Sequence, residues 1–495
     1  MTTLDSPRSK NRALALLALT QFVIVIDISI VNVALPSIGS GLHFSRDNLS
    51  WVVNAYALTF GGFLLLGGRL ADLLGRRRLL IAGMFLFSLS SLAGGLAQSE
   101  AWLLVARAAQ GLGAAGVAPA ALSILSTTFA EGADRNRALG VWGAVAGAGG
   151  AVGVLLGGIL TSGLGWQWVL FVNVPIGLAI AGLAPRILPE SHVELEDRSF
   201  DFAGAVTITA GLSLLVYALV ETVNSGWGSS ATLGRFAVSV LLIAAFLVIE
   251  LRMRHPLMPF SIFRHRTLRG ADIVGLLIGM SLLSMFFFVS LYLQRVLGMS
   301  PIEAGLAYLP LAIVIIVASG AASQLVNRVG FRPVLIIGLL AIAIGMLWFS
   351  RASAPGGSFL GDVLGASLVA AVGLGFAFVS VTTAAVSGTA PHEAGLASGL
   401  INTAQQIGGA LGLAILTTVA NGRTQGILSS GERDPGIALT RGYDRAFLVG
   451  AGFALAGAIL AGLLISARDS RALMAVVHPD NPASPDRGGG KPEVL

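Results

Sequence analysis

Gly68-Arg-Leu-Ala-Asp72-Leu-Leu-Gly75-Arg76-Arg77-Arg78 lies between two long apolar runs. Charge this dense beside so much hydrocarbon marks a membrane surface, because Lys and Arg gather in the cytoplasmic loops of membrane proteins. The stretch reads as a short cytoplasmic hairpin between two spanning helices.

Outward from the hairpin the composition agrees. The 495 residues are 55% hydrophobic and only 11% charged, with a mean hydropathy of +0.83, whereas soluble chains carry about a quarter charged residues. Apolar segments of about 20 residues, each able to cross the bilayer core, recur from Leu14 to Ile465. Period-two alternation is missing, which argues against a barrel. The expectation is an all-α polytopic membrane protein with fourteen transmembrane helices. The first apolar run has no A-x-A-like cleavage site and reads as a retained span. The tail from about Arg468, rich in Pro, Gly, Asp and Arg, reads as disordered.

Arginine asymmetry sets the orientation. With the N-terminus inside, Arg8, Lys10, Arg12, the Arg69 to Arg78 cluster, Arg135, Arg137, Arg186, Arg198, Arg252, Arg254, Arg264, Arg266, Arg269, Arg328, Arg332, Arg468 and Arg471 fall on one side, and the fewer Arg46, Arg235, Arg295, Arg351, Arg423, Arg433, Arg441 and Arg445 on the other. Both termini are then cytoplasmic. The net charge of +6 is explained as topology and calls for no nucleic-acid partner.

Several chemistries are excluded. Cysteine is absent, which removes disulfides, thiolate catalysis and Cys-ligated metals. The lysines are Lys10 and Lys491, both in the tails, so no ATP-binding P-loop can be written. The histidines at 43, 192, 255, 265, 392 and 478 show no metal-binding spacing. No enzyme, metal or cofactor is expected, and no ATPase domain lies in this chain.

Residues 67–83 recur in 322–338, with Leu70, Gly75, Arg77, Leu80, Ile81 and Gly83 matched about 255 residues later. A second match sets Ala138, Gly140, Gly149, Gly150, Ala151 and Gly153 over Ala397, Gly399, Gly408, Gly409, Ala410 and Gly412. That spacing holds roughly eight helices, whereas parallel six-helix repeats would give six. Two helices have therefore been inserted. The expected organisation is a cytoplasmic tail (1–13), an N-terminal six-helix bundle (14–187), inserted helices 7 and 8 with their loops (188–269), a C-terminal six-helix bundle (270–467) and the final tail (468–495).

The hairpin, Asp27-Ile-Ser-Ile-Val-Asn32-Val-Ala-Leu-Pro36 in helix 1, and Arg107-Ala-Ala-Gln110-Gly111-Leu-Gly113 in helix 4 carry a family resemblance. Together with Trp166 to Gly177 and Tyr292 to Pro310, the chain resembles the fourteen-helix drug:proton antiporters of the major facilitator superfamily. The resemblance implies two six-helix bundles plus two inserted helices, alternating access, and proton-coupled export of small amphipathic compounds such as drugs or antibiotics. Small-molecule substrate, protons and the lipid bilayer are the implied partners, and the chain is expected to act as a monomer.

Asp27 falls inside hydrocarbon, where an uncompensated charge costs at least about 2.5–3.5 kcal/mol. It needs a partner or a proton, so it either loads and releases a proton or makes a fixed polar contact. Arg107 stays charged; it tunes a nearby carboxylate, with Gln110 on the same face, or it donates to backbone carbonyls. Asp27, Arg107 and Gln110 are the expected coupling residues. Asn32, Asn54, Asn173, Asn402, Gln405 and Gln406 are candidate polar residues of a substrate cavity. Asn402, Gln405, Gln406 and Gly409 share one face of helix 13 at i, i+3, i+4 and i+7, a polar stripe that also fits interhelical packing.

Gly68, Asp72, Gly75, Arg76 and Arg77 are expected to form a conformational latch facing a helix N-terminus or an arginine across the boundary between halves. Gly149, Gly153 and Gly157 sit at four-residue spacing, which lets helices approach closely. The subfamily's helix-5 motif has Gly-Pro steps where this chain has Gly150 and Val154. Uptake or facilitated exchange of a specific metabolite is the alternative that this departure leaves open. A transport-dead sensor or scaffold is a third reading.

Overall fold

The computed structural model describes residues 7–45, 48–129, 133–190, 201–253, 263–352, 356–387 and 394–471; some side chains within helices, Asp72 among them, lie outside the description. The described elements are helical and form fourteen long segments. They are α1 (Pro7–Gly41), α2 (Trp51–Leu74), α3 (Arg76–Gly95), α4 (Glu100–Thr128), α5 (Ala133–Gly163), α6 (Trp168–Ile187) and α7 (Phe202–Ser225). Then follow α8 (Ser230–Arg252), α9 (Arg266–Val296), α10 (Pro301–Val329), α11 (Phe331–Phe349), α12 (Phe359–Ala385), α13 (Ala394–Ser429) and α14 (Pro435–Leu464). Among the described residues 10 of these are long and apolar enough to cross a membrane, while α2, α5 and α7 carry shorter apolar stretches.

The helix starts are written locally. Ser99, Asp201, Ser229 and Asp434 each accept a bond from a backbone N–H of the first turn of α4, α7, α8 and α14, satisfying donors that a helix start leaves orphaned. Ser300 and Glu303 form a capping box ahead of α10. Gly75 and Gly330 end α2 and α10 with φ of +102° and +84°. Side chains with a Cβ rarely adopt that backbone, and these two glycines match each other across the sequence repeat.

Helices α1 to α6 pack chiefly among themselves, as do α9 to α14. Both groups use glycine at the same joint. A Cβ on Gly153 or Gly157 of α5 would strike Ser29 or the Ile30 carbonyl of α1, and one on Gly149 would crowd Val25. On the other side, Gly408 and Gly412 of α13 leave room only for the backbone of Leu276 and Met280 of α9. Gly150, by contrast, has open space beside it. Helix α7 lies against both α2 and α13, with Thr418 Oγ1 donating to the Leu219 carbonyl at 2.9 Å, while α8 packs on α7.

The end of the bundle where α1 starts is here termed lower, and the opposite end upper. At the upper end Pro36 interrupts α1. Lacking an N–H, it cannot bond the carbonyl four residues back, which is that of Asn32. Ser290 of α9 donates its hydroxyl to that oxygen at 2.9 Å, and Gln294 Nε2 donates to the Val33 carbonyl at 3.0 Å. Ile302 N donates to Ser162 Oγ at 3.1 Å. The two groups of helices are thereby joined at the upper end.

Residues 472–495 lie outside the described residues, whereas Arg468 to Arg471 continue a helical turn and Ser470 is buried, its hydroxyl accepting from Arg332 N at 3.2 Å. The Ser470 hydroxyl fits the cleft beside Gly330.

Candidate functional site

Asp27 sits on α1 with no exposure, and three side chains from two other helices converge on it. Arg107 Nη1 donates to Oδ2 at 2.7 Å, Gln110 Nε2 to Oδ1 at 2.8 Å, and Asn173 Nδ2 to Oδ1 at 2.7 Å. Arg107 and Gln110 are one turn apart on α4, and Arg107 Nη1 also donates to Gln110 Oε1 at 2.7 Å. Asn173 comes from α6.

The second ring of contacts holds the guanidinium. Arg107 Nε donates to the Val52 carbonyl at 3.0 Å, and its Cζ lies 4.5 Å from the centre of the Tyr56 ring. Ser91 of α3 accepts from Gln110 Nε2 at 3.1 Å and from Asn173 Nδ2 at 3.2 Å while donating to the Leu170 carbonyl at 2.8 Å. One charge pair therefore fastens α1, α2, α3, α4 and α6. Bonds to ionised groups are roughly twice as strong as neutral ones, and this pair is the junction of the first bundle.

Arg107 donates to a backbone carbonyl and to the carboxylate at once. A protein can keep a buried ion pair when further hydrogen bonds satisfy its remaining valences. The spare capacity is neutral. Tyr56 OH and Asn173 Oδ1 are buried without a hydrogen-bond partner. A proton on Asp27 would turn one acceptor oxygen into a donor, and the Asn173 amide, turned over, offers it an acceptor.

The other expected polar residues lie elsewhere. Asn32 donates to its own helix at the Ile28 carbonyl, 3.0 Å away, and its Oδ1 has no partner. Asn54 is fully buried on α2 with neither amide atom bonded. On α13, Asn402 is exposed, the Gln405 backbone packs on Gly279, and the Gln406 Cβ side packs against Gly61 of α2. These residues do not join the Asp27 cluster.

The hairpin makes its described contacts within the first bundle. Arg77 donates to the Leu188 carbonyl at 3.0 Å and lies 3.5 Å from Glu190, whose Oε1 also accepts from Arg77 N at 3.1 Å; Arg78 reaches Glu190 at 3.8 Å. Gly75 leaves no room for a Cβ beside Glu190, and Gly68 lies against Pro119 of α4. Among the described side chains, the acid that meets Arg77 and Arg78 is thus Glu190, just past the end of α6. Asp72's side chain is outside the description, and Arg76 is partly buried.

Sequence reading missed Ser91, Tyr56 and Glu190. A signal existed for the first, since Ser88, Ser90 and Ser91 interrupt an otherwise apolar helix. Tyr56 acts through a ring face and Glu190 through a turn, neither of which periodicity reveals.

A buried carboxylate–guanidinium pair at the junction of a polytopic helical bundle fits a multi-pass membrane carrier, in which such intramembrane charges mark functional sites. The chain belongs to the Major Facilitator Superfamily, whose profile matches residues 17–413. It is 39% identical over 464 residues to a puromycin resistance protein of Streptomyces alboniger, covering 93% of this chain and 92% of the relative. It is 42% identical over 460 residues to a cephamycin export protein of Amycolatopsis lactamdurans, covering 91% and 92%. Among solved structures it resembles a bacterial homologue of the human lysosomal transporter Spinster, inward-facing and unoccupied, at 18% identity and a TM-score of 0.65 over 94% of this chain and 99% of that one. This last likeness speaks to the fold.

Proposed function

We propose that the chain exports small amphipathic organic compounds, antibiotics among them, across a bacterial plasma membrane in exchange for protons. The observation that carries the reading is the Asp27–Arg107 pair, buried and joined to neutral partners with spare hydrogen-bonding capacity. The names of the relatives, a puromycin resistance protein and a cephamycin export protein, support export of drug-like cargo.

With the arginine-rich lower end in the cytoplasm, both termini are inside and the upper end faces out. The two bundles, residues 14–187 and 270–467, rock about the Asp27 junction and the upper seam, with α7 and α8 as an inserted brace. A proton reaching Asp27 from outside weakens its tie to Arg107 and so changes which arrangement of the bundles is favoured. Release inward restores the pair. One proton moving down about 100 mV supplies roughly 2.3 kcal/mol, more than a tenfold concentration ratio requires. The carrier acts as a monomer on this reading.

The test is accumulation of puromycin inside inverted vesicles energised by a proton gradient, acid inside. Wild-type protein should accumulate the drug and lose that ability when the gradient collapses. Asp27→Asn should abolish gradient-driven accumulation, and wild-type rates in that variant would rule the coupling out. Accumulation in right-side-out vesicles with protons entering alongside would instead indicate uptake.

A further inference from the structure

Asp272 lies on α9 about 9 Å along the axis from Arg266, one turn beyond exposed Arg269 and within the apolar segment. Both its carboxylate oxygens are buried, and neither has a hydrogen-bond partner. Asp27 is the contrast: it receives three hydrogen bonds and a guanidinium. The two acids stand on the first helix of each bundle, one fully satisfied and one bare.

The surroundings of Asp272 are fixed by glycine contacts between α9 and α13, which run in parallel. Ile401 abuts Gly275, the Gln405 backbone abuts Gly279, and the Leu276 backbone abuts Gly408. That register sets Asp272 at the level of Ile401 and exposed Asn402, the lower end of the polar stripe on α13. Among the described residues the ionisable groups near it are engaged, distant or turned to the surface. On its own helix Arg266 donates to the Leu463 carbonyl, and Arg269 is exposed. On α13 the first ionisable residue is Arg423, and on α12 it is Asp362, both toward the upper end.

The ionisable residues of α14, Arg441, Asp444 and Arg445, also lie toward the upper end; beyond α14, Asp469 accepts from Thr267. Arg332 at the start of α11 donates to the Gly462 carbonyl. On α1 the lower end carries Arg8, Lys10 and Arg12, and the carboxylate of Asp27 is taken by Arg107.

A bare carboxylate in an apolar setting is stable as the neutral acid, or as the counter-ion of a cation that the chain does not supply. We propose that Asp272 is a second exchange site: it holds a proton in the empty carrier and yields it when the cationic group of a cargo molecule arrives. The O–H bond of the carboxyl breaks, the proton leaves to water, and the carboxylate pairs with the organic cation. The charge of the site is the same before and after, so the bundle never holds an unpaired ion. The proposal deepens the export reading and rests on it only for the class of cargo.

The test uses full-length protein in lipid nanodiscs, weakly buffered, with a pH-indicator dye, titrated with tetraphenylphosphonium. Wild type should release a proton for each cation bound. Asp272→Asn should release none and bind the cation about tenfold more weakly or worse, whereas Asp272→Glu should keep both properties and confirm that the acid group matters. Thermal melting of each variant guards against misfolding. A wild type that does not bind the cation, or binds it without releasing a proton, overturns the proposal. So does undiminished release in Asp272→Asn, including the case where release vanishes only in Asp27→Asn. Failure of the coupling reading would show in vesicle export by Asp27→Asn and leave this titration intact.

Discussion

Removing one partner of the Asp27–Arg107 pair should damage the first bundle far more than removing both. Arg107 is 1% exposed and Asp27 is 0% exposed, so Asp27→Asn leaves a guanidinium in hydrocarbon with only the Val52 carbonyl, Gln110 Oε1 and the Tyr56 ring for company. Breaking such a pair from one side costs about 3–5 kcal/mol, while replacing both charges by neutral groups is often close to neutral. The double variant Asp27→Asn/Arg107→Gln keeps side chains able to bond with Gln110 and Asn173. It should therefore recover most of the stability that either single change loses, and none of the proton-driven transport. The measurement is a double-mutant cycle of detergent-solubilised protein unfolded by heat or denaturant, with gradient-driven export measured in parallel. A double variant as unstable as the sum of the singles would refute the view that charge balance holds this junction. Recovery of export in the double variant would refute the coupling role.

Gly153→Leu places a branched side chain against Ser29 and the Ile26 carbonyl; overpacking of this kind costs about 1–3 kcal/mol or more, and should show as a lowered melting temperature and poor yield, with Gly150→Leu far milder because space is open there. Pro36→Ala returns an N–H to the Asn32 carbonyl and competes with Ser290, so the upper seam should loosen by about 0.5–1.5 kcal/mol; spin-label distances across that seam should lengthen, and an unchanged distance distribution counts against the proline argument. Because the chain has no native cysteine, Ser162→Cys with Ile302→Cys gives a clean cross-link, which should form readily and stop transport until reduced. Glu190→Gln releases Arg77 and Arg78 at a partly exposed site, where ion pairs are worth about 0–1 kcal/mol; melting should shift slightly, and a large loss would mean the contact supports the bundle.

The sequence determined the class of fold because each spanning helix must be apolar along its own length, and hydrophobic runs and arginine placement are local properties. It also marked Asp27 and Arg107, since a charge in an apolar run is conspicuous wherever its partner lies. Gly75 and Gly330 were legible as a repeated pair for the same reason: the backbone conformation each permits is set at one residue. Only the tertiary structure decided that Asp27 meets Arg107, Gln110 and Asn173 at one point, that Glu190 receives Arg77 and Arg78, and that Pro36 frees a carbonyl for Ser290. These facts depend on the rotation and depth of one helix against another. Packing contacts between residues far apart in the chain fix both, and no single segment records them.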